Sequence, residues 1–358
     1  MNVADDRPAG ASDEVPLLEV EQVSVTFRIR RGVVRKVPLR AVDNVSFSIA
    51  PGETLGLVGE SGSGKSTIGR AILRLIEPDH GTVRLEGQEI TGAGRRELRS
   101  MRRQMQMVFQ DPYSSLDPSM VVAESIGEPL SVHTDLGRSE RMARVRELLH
   151  QVGLAEHHLQ RYPYEFSGGQ RQRIAIARAI AVNPRLLVCD EAVSALDVST
   201  QNQIINLLED LREDLGLSYL FIAHDLAVVR HLAQRTAVMY LGRVVETGPS
   251  GRIFQHPAHP YSEALLSAVP IPVPWVQRNR DRVILPGDLP DPTDPPTGCS
   301  FHTRCPYVMD VCREEVPAHT PVDGGGTVAC HLQTSGPTLA GGSVTEVTVD
   351  RVGGSPRA

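Results

Sequence analysis

The segment Gly59-Glu60-Ser61-Gly62-Ser63-Gly64-Lys65-Ser66-Thr67 constrains the fold more than any other stretch of this 358-residue chain. It matches G-x-x-x-x-G-K-[ST], the phosphate-binding loop, in which backbone N–H groups cradle phosphates, the lysine reaches the terminal ones and the Ser/Thr hydroxyl meets Mg²⁺. Such a loop works only where a strand feeds through it into a helix, and the flanks comply. Thr54-Leu55-Gly56-Leu57-Val58 is an apolar run fit for a buried parallel strand, and Ile68 to Ile76 reads as a helix. Gly59, Ser61, Gly62, Ser63, Gly64, Lys65, Ser66 and Thr67 are therefore candidate contacts to ATP or GTP. Of the 37 basic residues only Lys36 and Lys65 are lysines. A chain that uses arginine almost everywhere else has kept a compact ammonium where a broad guanidinium would not fit.

The rest of the chain supplies the layers such a loop needs. Leu18 to Phe27 and Val45 to Ile49 alternate apolar with polar residues, as half-buried strands do, and the basic excursion Arg28 to Leu39 between them reads as an exposed loop. Gly81 to Gly87 is a short strand ending in a turn. Arg138 to Val152 is helical, with Met142, Val145, Leu148, Leu149 and Val152 on one stripe, Ser139 as cap and Gly153 as terminator; the region of about 111–168 is a helical insertion. Arg185 to Cys189 and Ser218 to Ile222 are buried strands, separated by a helix over Gln201 to Leu215 that Gly216 closes. Strands alternating with helices give an α/β fold with a largely parallel sheet covered on both faces.

Composition narrows the function classes. A net charge of −6 argues against nucleic-acid binding as the main role, although a local basic patch is compatible with it. The acidic, polar stretch from Met1 to Pro16 lacks the apolar core of a secretory signal, and no run approaches the roughly 18 to 20 apolar residues of a membrane helix. The expected location is the cytosol, with any membrane contact made through partners.

Beyond the loop, Asp190 and Glu191 follow the strand ending at Cys189. A carboxylate there can hold Mg²⁺ with Ser66, and the next one can orient an attacking water; the alternative is an Asp-Glu pair capping a turn. Phe166-Ser167-Gly168-Gly169-Gln170 opens a helix, where free N–H groups and the dipole's positive end favour an anion.

At this point the chain resembles the ATP-binding subunits of ABC transporters, whose Leu-Ser-Gly-Gly-Gln signature is matched with Phe166 in place of leucine. The likeness spans about 18–250 with the motifs in the family's order. It implies a P-loop NTPase of ABC type, with a core parallel sheet, an antiparallel β subdomain and an inserted helical subdomain. It also implies Gln110, in Val108-Phe109-Gln110-Asp111-Pro112, as the residue that touches Mg²⁺ and water and relays nucleotide state to the helical insertion. Ser194 to Asp197 resembles the loop that crosses the dimer interface, and His224 the switch histidine at the terminal phosphate. Phe27 is the candidate to stack on adenine, or a plain core residue. Family members dimerise head to tail, so Ser167, Gly168, Gly169 and Gln170 would serve the ATP of a second ATPase subunit, identical or related.

Past residue 250 a narrower likeness begins. His256 to Leu266, Gly287-Asp288-Leu289-Pro290, Gly298-Cys299 and Arg304-Cys305-Pro306 are similar to the C-terminal, Pro- and Cys-rich extension of oligopeptide and dipeptide importer ATPases. That implies two transmembrane permease subunits and an extracytoplasmic substrate-binding protein as partners, no nucleic acid, and a peripheral place on the cytoplasmic side of the cell membrane. Cys299, Cys305, Cys312 and Cys330 are expected to hold a [4Fe-4S] cluster, which some members of the subfamily carry, with Zn²⁺ or reduced thiols as the alternatives. The expected organisation is a disordered 1–16, an ATP-binding domain over 17–250, the extension over 251–332 and a disordered tail over 333–358. A soluble ATPase of the same type acting on nucleic acid or the ribosome is the competing class. It predicts two nucleotide domains, coiled-coil or zinc-finger insertions, or a basic surface.

Overall fold

The computed structural model describes residues 15–31, 35–269, 283, 285–334, 339 and 341–345. The first fourteen residues, the end of the tail and most of the proline-dense stretch after Val269 lie outside the described residues.

Two sheets carry the chain. The smaller is antiparallel in the order β2-β1-β4-β5, built from β1 (Leu18–Arg31), β2 (Arg35–Ile49), β4 (His80–Leu85) and β5 (Gln88–Glu89). The larger has the order β11-β12-β10-β9-β3-β8-β7-β6. Its centre comprises β3 (Thr54–Val58), β6 (Met105–Val108), β7 (Leu186–Asp190), β8 (Ser218–Ala223) and β9 (Arg235–Tyr240), all pairing in parallel. Strands β3, β7 and β8 are buried along their whole length, the consequence of apolar runs placed in a sheet covered on both faces.

Helix α1 (Lys65–Ile72) leaves the phosphate loop, and α2 (Arg95–Gln104) precedes β6. The insertion follows as α3 (Pro112–Ser115), α4 (Val122–His133) and α5 (Arg138–Gln151), then two 3₁₀ turns and α6 (Gly168–Ile180). Apolar residues of α4, α5 and α6, among them Ile126, Leu148 and Ile174, share one core with β7 and β8 through Leu187 and Phe221. Helices α7 (Val198–Leu215) and α8 (Leu226–Leu232) cover the same face. Helix α5 is capped at Gly137 rather than at the expected Ser139, because Glu140 reaches back to the Gly137 N–H at 2.7 Å.

Two expectations are corrected. The basic excursion Arg28 to Leu39 is not a loop for most of its length: β1 and β2 continue as a hairpin, pairing Ile29 with Val37 and Arg31 with Arg35. Alternation of Ile29 with arginines suits a solvated ribbon, and the basic composition hid the period. Within the tail expected to be disordered, residues 341–345 are packed. Val344 is fully buried and donates its N–H to Pro257 O at 2.9 Å, while the Gln333 side-chain amide donates to Gly342 O.

The C-terminal region is sewn into the main sheet rather than hung from it. After β10 (Arg243–Pro249), α9 (Ser250–Gln255) and α10 (Pro260–Ala268), the strands β11 (His319–Pro321) and β12 (Thr327–Ala329) add antiparallel to the β10 edge, pairing Glu246 with Val328. The Glu246 carboxylate, fully buried, accepts the N–H groups of Ala258 and His259 at 2.9 and 3.0 Å and meets Arg252. No described helix is long and apolar enough to cross a membrane.

Candidate active site

Parallel strands deliver their C-terminal ends to one edge of the sheet, and that is where the chemistry-bearing residues collect. The phosphate loop follows β3, Asp190 ends β7 with Glu191 next, His224 follows β8, and Gln110 lies just past β6. Because β3, β8, β7 and β6 are consecutive neighbours, residues far apart in sequence become adjacent.

Within the loop, Lys65 is 4% exposed and its Nζ donates to Gly59 O and Glu60 O at 2.8 Å each and to Ser63 Oγ at 3.3 Å. Burial lowers its pKa, opposed by the charges of Glu191, Asp190 and Glu60. Gly64, at φ 101°, occupies the left-handed region, and a Cβ there would lie 2.1 Å from Ala41 O. That glycine is therefore required both by backbone conformation and by space.

Ser66 Oγ donates to Asp190 Oδ1 at 2.6 Å. The other carboxylate oxygen, Oδ2, is buried and accepts no hydrogen bond, with Arg70 Nη2 3.6 Å away. Burial raises the Asp190 pKa against the hydrogen bond from Ser66 and the charges of Arg70 and Lys65. A hydroxyl beside a buried carboxylate with an unused oxygen is a donor set that fits Mg²⁺. Sequence reasoning missed Arg70, although its position four residues after Ser66 on α1 puts both on one helical face.

Glu191 gathers the remaining side chains. Gln110 Nε2 donates to its Oε2 at 2.9 Å, and His224 Nδ1 lies 3.3 Å from the same oxygen. Glu191 stands at φ 47°, a conformation that costs a non-glycine residue energy and is held here by its N–H to Ile222 O at 2.9 Å. Ser194 Oγ donates to the Glu191 carbonyl, tying the Ser194 to Asp197 segment to the cluster.

Ser167 caps α6, its Oγ accepting from Gln170 N at 3.3 Å while the Gln170 side chain accepts the Ser167 N–H at 3.1 Å. Gly169 is required by space, since a Cβ would lie 2.3 Å from Thr200 Cγ2. Gly168 is half-buried against Leu196. Among the described residues no hydrogen bond or ion pair joins Ser167–Gln170 to the phosphate loop of the same chain. A physical link does run from α6 toward Gln110: Arg171 lies over the Tyr113 ring at 3.6 Å, and Arg178 donates to Ser115 O at 2.7 Å. Phe27, paired across the hairpin with Leu39, is half-buried against the core of the small sheet.

The four C-terminal cysteines are free thiols, and Cys299, Cys305 and Cys312 lie close enough to raise the pKa of Cys330. Burial, the larger cause, pushes Cys330 and Cys299 up and brings Cys305 to about 12. Among the described residues no three His, Cys, Asp or Glu side chains are grouped to hold a metal ion. At the expected [4Fe-4S] or zinc site Cys312 and Cys330 are buried and Cys299 and Cys305 half-buried.

The ABC transporter family profile matches residues 42–194, and that of the oligopeptide/dipeptide transporter C-terminal region matches 245–312. A probable peptide ABC transporter ATP-binding protein of Sinorhizobium fredii is 51% identical over 319 residues, covering 88% of this chain and 90% of the relative. An oligopeptide transport ATP-binding protein of Bacillus subtilis is 49% identical, covering 90% and 99%. A di/tripeptide transport ATP-binding protein of Pseudomonas aeruginosa is 46% identical, covering 88% and 97%. Among solved structures, a dimeric ATP-binding cassette in a post-hydrolysis state with ADP and Pi matches with TM-score 0.59 and 31% identity over 65% of this chain and 98% of that one.

Proposed function

This chain belongs to the ATP-binding proteins of ABC transporters, and on that premise we propose that it is the ATP-hydrolysing subunit that energises peptide import through separate permease subunits. The observation that carries the catalytic part is the convergence of Gln110 and His224 on one oxygen of Glu191, next to a buried Lys65 and the Ser66–Asp190 pair. Peptide as cargo is supported by the likeness of residues 245–312 to the oligopeptide/dipeptide transporter C-terminal region and by what the relatives are called.

In this reading Gly59 to Thr67 wraps the phosphates of ATP, with Phe27 against the adenine. Lys65 reaches the terminal phosphates from its place beside the Gly59 and Glu60 carbonyls. Ser66, Asp190 and Gln110 would hold Mg²⁺, which when bound would neutralise phosphate charge. Glu191 accepts a proton from, and aims, the attacking water, while His224 steadies the terminal phosphate. Ser167, Gly168, Gly169 and Gln170 complete the site of a second subunit, and Gln110 with the helical insertion passes the nucleotide state to the permeases, placing the chain peripherally at the cytoplasmic face. Over its length, 17–250 would act as the ATP-binding domain and 251–332 as the importer extension.

The test is uptake of a labelled peptide by vesicles holding the chain with its permeases and binding protein. Lys65→Arg should abolish uptake and lower ATP turnover, because the guanidinium cannot occupy a cavity shaped by three close acceptors. Undiminished uptake by that variant would refute the motor role. A [4Fe-4S] cluster or zinc at Cys299, Cys305, Cys312 and Cys330 is supported by the nearness of the thiols and opposed by the lack of a ready ligand group. Visible cluster absorbance after anaerobic purification, or bound zinc, would establish it; colourless, metal-free protein leaves buried thiols.

A further inference from the structure

The phosphate loop is gripped from outside its own strand–helix unit. Glu60, its second residue, donates its backbone N–H to Tyr261 Oη at 2.8 Å. The Glu60 carboxylate receives both prongs of a guanidinium, Arg304 Nη1 to Oε2 at 2.8 Å and Nη2 to Oε1 at 3.2 Å. Tyr261 is 201 residues away in sequence and Arg304 is 244 away, both in the C-terminal region. On the other side of the same peptide units, the carbonyls of Gly59 and Glu60 hold Lys65 Nζ. Residues 59–60 are thus clamped between the ammonium of the site and a support that the C-terminal region provides.

The support is stiff. Arg304 is 8% exposed, and Tyr261 and Phe301 are at most 1% exposed. Phe301 packs edge-on to Tyr240 with ring centroids 5.2 Å apart and tilts against Tyr261 at 5.5 Å. A turn fixes the backbone of Arg304, whose N–H donates to Phe301 O at 3.0 Å. The guanidinium charge matters as well, because the half-buried Glu60 carboxylate is an anion on the loop that receives polyphosphate, and an unpaired anion there repels the ligand.

We infer that Arg304 and Tyr261 are positioning residues for ATP, fixing the Gly59 and Glu60 carbonyls that hold Lys65 and cancelling the Glu60 charge beside the phosphates. The inference rests on the reading of Gly59 to Thr67 as the ATP site. It gives the extension a part in nucleotide binding that no motif of the extension announces.

Steady-state ATPase kinetics on the full chain test it. Arg304→Gln should raise KM for ATP about tenfold with kcat changed less than about twofold, the effect of stranding one charge-assisted pair. Arg304→Lys should recover part of the loss. The double variant Glu60→Gln, Arg304→Gln should return KM to within about twofold of wild type, because the repelling charge is gone. Tyr261→Phe should raise KM several-fold at an unchanged melting temperature, and it keeps the inference testable if Arg304→Gln does not fold. Unchanged KM in Arg304→Gln and Tyr261→Phe, or a double variant as impaired as Arg304→Gln alone, would overturn the inference. Lys65→Ala is the control for the premise: if it binds ATP normally, the assignment of the site itself fails, independently of the clamp.

Discussion

Glu191 shows what one residue's surroundings decide. Its backbone sits in a left-handed conformation, and its carboxylate is shared by Gln110 and His224 on a single oxygen, leaving the other free to face a water. Glu191→Gln keeps the shape and leaves an amide oxygen able to accept from Gln110, so nucleotide should still bind with near-normal affinity. The lost charge removes the base, and hydrolysis should fall by about 10²–10⁴-fold. Equilibrium binding of a fluorescent ATP analogue beside phosphate release checks both halves; near-normal turnover would remove Glu191 from the mechanism. At this scale the sequence was informative because each residue follows the end of an apolar run. Asp190 and Glu191 needed only the rule that parallel strands end on one edge, whereas His224 was legible only through the resemblance to ABC transporter subunits. Arg304 and Tyr261 gave no such sign, since their partner Glu60 is more than half the chain away and contact at that distance depends on the packed fold.

Elements divide the same way. The fully buried β3, β7 and β8 were legible as short apolar runs, and α7 by its stripe and closing Gly216. The outer part of the β1–β2 hairpin was not, because arginines on a solvated ribbon dilute the period of two. Helix α10 carries a cap that sequence reasoning passed over: His259, whose Nδ1 accepts the Tyr261 N–H at 3.0 Å, which requires a neutral ring. Burial, aided by the charge of His319, lowers its pKa from 6.5 to about 3. Below about pH 6.5 the unfolded chain therefore takes up a proton that the folded chain refuses, so stability is lost as pH falls toward the folded value. One such group costs about 1.4 kcal/mol per pH unit across that window, or about 2 kcal/mol between pH 7 and 5. His259→Asn keeps a capping acceptor and removes the titration. Urea denaturation at both pH values should show the variant losing less stability on acidification; an equal loss in both proteins would assign the acid sensitivity elsewhere.

Across the whole molecule the phosphate edge and the N-terminus of α6 are two half-sites without a shared bond among the described residues. The first holds a buried cation awaiting anions, and the second presents Ser167 and the N–H groups of a thirteen-residue helix, occupied only by the Ser167–Gln170 box. Neither is complete as it stands, and both are satisfied at once if a second chain turns its α6 toward the first chain's loop and receives the same in return. Such an isologous pair buries two nucleotides and closes on itself, so it should stop at two subunits. ATP that cannot be hydrolysed should hold such a pair shut, because the phosphate charge would be the bridge. The Glu191→Gln chain, alone or with a sister subunit, should therefore shift from monomer to dimer in light scattering when Mg-ATP is added, and not with ADP. Adding Ser167→Arg should prevent the shift, because a bulky cation displaces the cap at the joint, while leaving ATP binding to each monomer within about threefold of the parent, as that residue serves the partner's nucleotide. A dimer that forms despite Ser167→Arg, or ATP-saturated chains that remain monomeric, would place the partner surface elsewhere on the molecule.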